Sequence, residues 1–215
     1  MQYITAVTGI RLLQTFQTIV LMLWLTSCAT SVVNQGPVDP DWLKHQESVL
    51  ALSDWQLSGR LNVRQQNASD TVNINWQQQD QDFEIRLSGT LGLGAVQVHG
   101  SPDSVVVEKA GTKTVVLPDL RALTQNYLGY DFPAAQLLYW VRGVPAPDGI
   151  ISTALNDKLM LGTLVQADTT GRQWELEYQK YQLVGDVWLP SDIRVRSGDI
   201  RLRFLINKWL IPASE

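Results

Sequence analysis

Blocks of alternating apolar and polar residues run through most of the chain, and they predict strands. Trp55, Leu57, Leu61 and Val63 share one parity, with Arg60 and Arg64 on the other. Val72, Ile74 and Trp76 alternate with Thr71, Asn73 and Asn75, and Phe83, Ile85 and Leu87 alternate with Glu84 and Arg86. Val96 and Val98 alternate with Gln97 and His99. A period of two sends successive side chains to opposite faces, so each block is a half-buried strand with one dry face. Val105 to Glu108 and Thr114 to Leu117 add a hairpin around Ala110-Gly111. Near the C-terminus Trp174, Leu176 and Tyr178 alternate with Gln173, Glu175 and Glu177, followed by Ile193 with Val195. Ile200, Leu202 and Phe204 are set against Arg201 and Arg203.

Helical signals lie before and between these blocks. Asp39 is a fitting N-cap and Pro40 suits the first helical position, with Leu43, Gln46, Val49 and Leu50 as an imperfect stripe up to about Leu52. Asp119 caps a second helix through Leu120, Leu123, Tyr127 and Leu128, which Gly129 ends. A third starts at Pro133, carries Leu137, Trp140 and Val141 on its apolar stripe and stops at Gly143. The order is strands, a helical insert, then strands. Connections too short for parallel crossovers favour an antiparallel sheet, and one curved sheet around the helices suits the order.

Residues 1–27 have a different character. Arg11 precedes an apolar run whose densest part is Ile19 to Leu25. That run falls well short of the ~20 residues a spanning helix needs, so it reads as a signal peptide. It ends in Leu25-Thr26-Ser27-Cys28, which resembles the lipobox of bacterial lipoprotein precursors. Small residues before the cut fit the peptidase, and a thiol is the nucleophile that accepts a diacylglycerol group. The resemblance implies cleavage before Cys28, an S-diacylglycerol on its sulfur and an acyl group on its new amine. Ala29 stands where an Asp would favour inner-membrane retention, which implies an outer-membrane address. Residues 28–38, with Asn34, Gln35, Gly36 and Pro37, form the lipidated N-terminus and tether. Residues 39–215 form a single domain.

Charge narrows the partners. The chain of 215 residues carries a formal net charge of -4. Loss of residues 1–27 removes one of the 17 basic residues, Arg11, and none of the 21 acidic ones, which makes the mature chain one unit more negative. Nucleic acid is therefore not an expected partner, because phosphate binding needs a basic surface.

Catalytic chemistry is not apparent. The two histidines, His45 and His99, lack ligand-like spacing to other metal-binding residues. No serine sits in a nucleophile-elbow pattern. Gly89, Gly92 and Gly94 match no phosphate loop. The chain is not expected to be an enzyme or to need a metal or a cofactor beyond the covalent lipid.

From about Trp42 to Trp209 the chain resembles the outer-membrane lipoprotein receptor family LolB. The resemblance rests on His45-Gln46, Trp55-Gln56-Leu57-Ser58-Gly59-Arg60, Trp76-Gln77-Gln78 and Gly89-Thr90-Leu91-Gly92. It continues with Trp140-Val141-Arg142-Gly143-Val144-Pro145, Trp174 with Tyr178, and Leu189-Pro190 ahead of Ile193. Thr90 replaces the proline of the family's usual Pro-Leu-Gly loop. The resemblance implies an unclosed antiparallel β-barrel, a half-barrel, lidded by α-helices around a hydrophobic cavity, like the periplasmic carrier LolA. It implies a monomeric receptor, anchored by lipid on the periplasmic face of the outer membrane. Such a receptor takes acylated lipoprotein cargo from a LolA-like carrier and inserts it into the inner leaflet.

Cargo transfer of that kind has a physical requirement. Each exposed CH₂ costs ~0.8 kcal/mol, so an acyl chain of about sixteen carbons costs roughly 12 kcal/mol in water. A dry surface must replace the membrane. The apolar strand and helix positions Trp76, Phe83, Ile85, Leu87, Val96, Val98, Trp140, Trp174, Leu176 and Tyr178 are the expected cavity lining. Leu91, with Leu93 beside it, matches the family's protruding leucine and is the expected membrane-insertion loop. Burying one Leu is worth about 1.5–3 kcal/mol, enough to dip into lipid and too little to hold the protein there. Other readings of a lipid-anchored chain are a scaffold of an envelope complex, which needs a filled core and no cavity, and an enzyme, which needs converging acid, base or nucleophile groups.

Overall fold

A computed structural model describes residues 39–66, 68–89, 95–101, 103–123 and 132–212. Cys28, the tether and the loop with Leu91 and Leu93 lie outside the described residues, as do Tyr127, Leu128 and Gly129.

The first element is helix α1 (Pro40–Leu50). The Asp39 carboxylate accepts from the backbone N–H of Asp41 at 2.9 Å and of Trp42 at 3.4 Å, which satisfies donors that the first turn cannot. The buried face differs from the expected stripe. Trp42 and Val49 are inside, and Leu43 and Leu50 are exposed. Positions 42, 45 and 49 are one face of a 3.6-residue period, so the helix turns Trp42 inward and His45 with it.

Six strands follow: β1 (Asp54–Gln65), β2 (Ala68–Gln79), β3 (Asp82–Gly89), β4 (Val96–Ser101), β5 (Ser104–Lys109) and β6 (Val115–Leu117). The insert contains α2 (Leu120–Leu123) and α3 (Ala134–Trp140). Five strands complete the chain: β7 (Ile150–Leu155), β8 (Leu161–Ala167), β9 (Gln173–Val184), β10 (Val187–Ser197) and β11 (Ile200–Leu210).

All eleven described strands form one sheet, ordered β6-β5-β4-β3-β2-β1-β11-β10-β9-β8-β7, and the pairings are antiparallel. Every neighbour is sequential except β1 with β11. Two meanders are therefore sewn together along their first and last strands. The sheet is not closed: β6 and β7 are its two edges, and the helical insert connects them.

The sequence parities set the inner face. Trp55, Leu57, Leu61 and Val63 are buried on β1, and Ile200, Leu202, Phe204 and Ile206 on β11. The missing member of the β1 series is Gly59. A Cβ there would lie 2.2 Å from the Leu205 carbonyl oxygen, at the register shift between Ser58 and Gly59. Glycine lets the two central strands approach where the pairing is irregular. Gly143 ends the turn after α3 at φ +82, a left-handed conformation that costs glycine little.

Candidate lipid-binding cavity

The two halves of the sheet are covered differently. Beneath β1 to β4 the inner face leaves a cavity of about 270 Å³. Its floor follows from the register. Trp76 lies opposite Ile85, and Ile85 opposite Val98. One step along, Ile74 pairs with Leu87 and Leu87 with Val96. Phe83, from the row beyond Trp76, also lines the space. These are two cross-strand rows of apolar side chains on one pleated face. Leu61 and Val63 of β1, Val72 of β2 and Phe204 of β11 extend the floor. Leu120 and Leu123 of α2, Phe132, and Ala134 and Leu137 of α3 form the lid. The Asp119 carboxylate accepts from the Ala122 N–H at 2.7 Å and starts the short α2 turn.

At the Trp76 end of the cavity aromatic rings pack together. Trp55 lies 5.3 Å from Trp76 and 5.5 Å from Trp209, tilted in both cases. The guanidinium of Arg142 sits 5.9 Å from the Trp55 ring and 5.6 Å from Tyr139. It donates to the carbonyl of Leu138 in α3 (2.9 Å) and to those of Val49 (3.4 Å) and Leu52 (3.3 Å) at the end of α1. Burial pushes its pKa down, while Tyr139 pushes it up. Arg142 thus straps the lid helix to the N-terminal helix.

At the other end the inward positions turn polar. Val63 faces Asp70, Leu61 and Val72 lead to Gly89, and Val96 faces Lys109. Asp70, Gly89 and Lys109 border the cavity there. Strand β3 ends and strand β4 begins beside this rim, since Gly89 pairs with Val72 and Val96 with Leu87.

Six of the ten residues expected to line a cavity border this one: Trp76, Phe83, Ile85, Leu87, Val96 and Val98. Trp140, Trp174, Leu176 and Tyr178 do not. They pack under the other half, between α3 and β9, where they are buried to within 5% of their surface. The Trp140 and Trp174 rings are 6.2 Å apart. Polar tips lock them: Trp174 donates to the Asp168 carboxylate (2.9 Å) and the Tyr178 hydroxyl to the Trp140 carbonyl (3.0 Å). Burial pushes the Tyr178 and Tyr181 hydroxyls up, so both remain donors, Tyr181 to the Leu161 carbonyl at 2.7 Å. The lid residues Leu120, Leu123 and Phe132 were not expected in the lining. The same apolar period marked two of them, but which sheet half they cover depends on the crossing of the insert.

The arrangement is a dry, acyl-compatible space between an open sheet and short helices. A family model described as outer membrane lipoprotein LolB matches residues 53–209. The chain belongs to the LolB family. The outer-membrane lipoprotein LolB of Pseudomonas syringae pv. syringae is 32% identical over 193 residues, covering 88% of this chain and 92% of its own length. That of Stutzerimonas stutzeri is 33% identical, covering 88% and 91%. Solved structures share the fold at low identity. A LolA superfamily protein from Nitrosomonas europaea has a TM-score of 0.55 at 8% identity, covering 84% of this chain and 96% of that one. A putative outer membrane lipoprotein-sorting protein domain from Vibrio parahaemolyticus has a TM-score of 0.56, also at 8% identity, covering 81% and 92%. LolB membership and the LolA-type sheet agree with the architecture of an unclosed barrel under helices.

Proposed function

We propose that this chain is a lipid-anchored receptor on the periplasmic face of the outer membrane. It accepts acylated lipoproteins from a LolA-like carrier and passes them to the inner leaflet. The apolar cavity under the helical insert, in a chain of the LolB family, carries this reading. A scaffold would need a filled core, and the space beneath β1 to β4 favours the receptor.

The cavity's size bears on how it works. At about 270 Å³ it lies at the low end of the ~300–1,000 Å³ of ordinary ligand sites. That is room for one acyl chain or part of one. Cargo with more chains requires α2, a single four-residue turn, to lift, because Arg142 and the buried Trp140 pin α3. Transfer is then an exchange of one dry surface for another, with no covalent step and no nucleotide or metal. Cys28, carrying S-diacylglycerol and an N-acyl group, holds the receptor on the membrane. Its tether of residues 28–38 reaches at most about 36–40 Å when extended. Leu91, with Leu93, is the residue that enters lipid during insertion.

The test is a transfer assay. A carrier loaded with labelled lipoprotein is mixed with this protein, and the label is followed. Movement of label to this protein is expected, and retention by a competent carrier sinks the reading. Leu91→Glu is expected to accept label normally and to release it slowly into vesicles.

A further inference from the structure

The outer face of the sheet carries an arginine cluster with no role in the cavity. A groove of about 590 Å³ crosses β2, β1, β11, β10 and β9 on that face. Arg64, Arg194, Arg196, Arg201 and Arg203 line it. The register puts them side by side. Arg64 lies opposite Arg201, Arg201 opposite Arg196, and Arg203 opposite Arg194. Like charges directly opposite in a sheet are destabilising. The acidic composition of the chain makes the concentration more unusual.

Local carboxylates neutralise part of the cluster. Arg196 donates to Glu175 at 2.6 and 2.8 Å, and Arg203 makes a two-pronged pair with Asp192 at 2.7 and 3.0 Å. Glu177, the register partner of Arg194, leans toward Arg196 at 3.9 Å. Among the described residues no carboxylate pairs with Arg64, Arg194 or Arg201. Three guanidinium forks are therefore open in one groove, and that geometry matches phosphate oxygens.

The position of the groove selects the source of the phosphate. Arg64 and Arg201 are at the end of the sheet where β2 starts, beside Ser69. That end also carries the polar rim of the cavity, the last residue of β3 and the first of β4. We propose that this arginine groove binds the phosphate headgroups of anionic phospholipids and orients the mouth of the cavity toward the membrane surface. A lipid anchor holds the protein at the membrane without setting which face meets it, and a basic patch adds about 1 kcal/mol of attraction per Arg near an anionic surface. The inference rests on the protein working at a membrane and does not depend on cargo transfer. It is read with no cargo or carrier present, so its failure and that of the receptor reading are separable.

The test uses residues 28–215 with Cys28→Ser, which keeps every described residue and removes the anchor. Sedimentation with phosphatidylglycerol-containing vesicles is compared with sedimentation with pure phosphatidylcholine. Binding to the anionic vesicles is expected, and it weakens as salt shortens the screening length from ~10 Å at 0.1 M to ~3 Å at 1 M. Arg64→Ser with Arg201→Ser should weaken it by about 10- to 30-fold, while Lys180→Ser with Lys208→Ser, toward the other end of the sheet, should not. The double arginine variant should melt no lower than the parent, since it removes facing like charges. Equal binding to both vesicle types, or no effect of the arginine pair, overturns the proposal. So does an absence of vesicle binding with arginine-dependent capture of the purified carrier, which would make the groove a protein-docking site.

Discussion

The indole N–H of Trp140 donates to the side-chain carbonyl of Gln166 over 2.7 Å, joining the end of the lid helix to strand β8. Gln166 is fully buried. Its carbonyl also accepts from the Ala146 N–H at 3.2 Å, and its amide donates to the carbonyls of Ala146 and Asp148. All four hydrogen-bonding positions of the side chain are occupied. The segment after α3 is thus held like a strand without being one. Gln166→Leu keeps the volume roughly and orphans the indole and three backbone groups. We expect a loss of about 3–5 kcal/mol, seen as a lower urea midpoint. An unchanged midpoint would show that water takes over these contacts.

The filled and empty halves of the inner face can be separated by substitution. Leu87→Trp puts bulk into the cavity and should weaken binding of a fluorescent acyl probe about tenfold, with a stability change within about 1–3 kcal/mol. Leu176→Ala, under the packed half, should cost about 2–5 kcal/mol of stability and leave probe affinity nearly intact. If Leu176→Ala instead abolishes probe binding in folded protein, the acyl site extends across both halves.

Arg142 holds α1 and α3 through three carbonyls at the same time. Replacement by methionine should cost about 2–4 kcal/mol, and amide exchange in α1 should rise. Arg142→Lys should restore little, because one ammonium cannot span Leu138, Val49 and Leu52 as the planar fork does. Full rescue by lysine would reduce the residue to its charge alone.

His45 gives stability a pH dependence. Its Nε2 is buried with no hydrogen-bond partner among the described residues, and burial lowers its pKa below the ordinary 6.5. The unfolded chain then binds a proton that the folded chain refuses. The stabilising contribution is complete above about pH 6.5 and is lost as pH falls through the lower folded value. Urea midpoints should therefore drop between pH 7.5 and pH 5. His45→Gln should flatten that part of the curve. A His45→Gln curve parallel to the parent's would assign the drop to carboxylates.

Much of the fold could be read from parity alone, and the exceptions have physical causes. Strands β7 and β8 gave no signal. Nearly all of Ile150–Leu155 is exposed on an edge, so no alternation is required of it. In β8 the buried positions Leu161 and Leu164 are three apart, on either side of the register shift at Ala154/Leu155, and the next inward residue is the polar Gln166. On α1, Leu43 and Leu50 suggested a stripe that packing did not use, because a bulky Trp42 took the contact. For the cavity, parity showed which side chains point inward but not what covers them. Trp76 and Trp174 look alike in sequence, yet α3 fills the space over Trp174 and leaves it open by Trp76.

The pairing of β1 with β11 has consequences for assembly. Leu57 meets Trp209 and Leu61 meets Phe204, contacts between residues 152 and 143 positions apart in a chain of 215. Each meander can form from neighbours, but the seam between them must wait until the last strand has been delivered. A chain arriving N-terminus first holds two unfinished half-sheets, each with a long bare edge at its future centre. Such edges invite mispairing, so the interval before Ile200–Leu210 arrives is when a periplasmic helper would matter most. For the same reason, a stop codon before Ile200 would not trim a rim. It would divide the molecule down the middle.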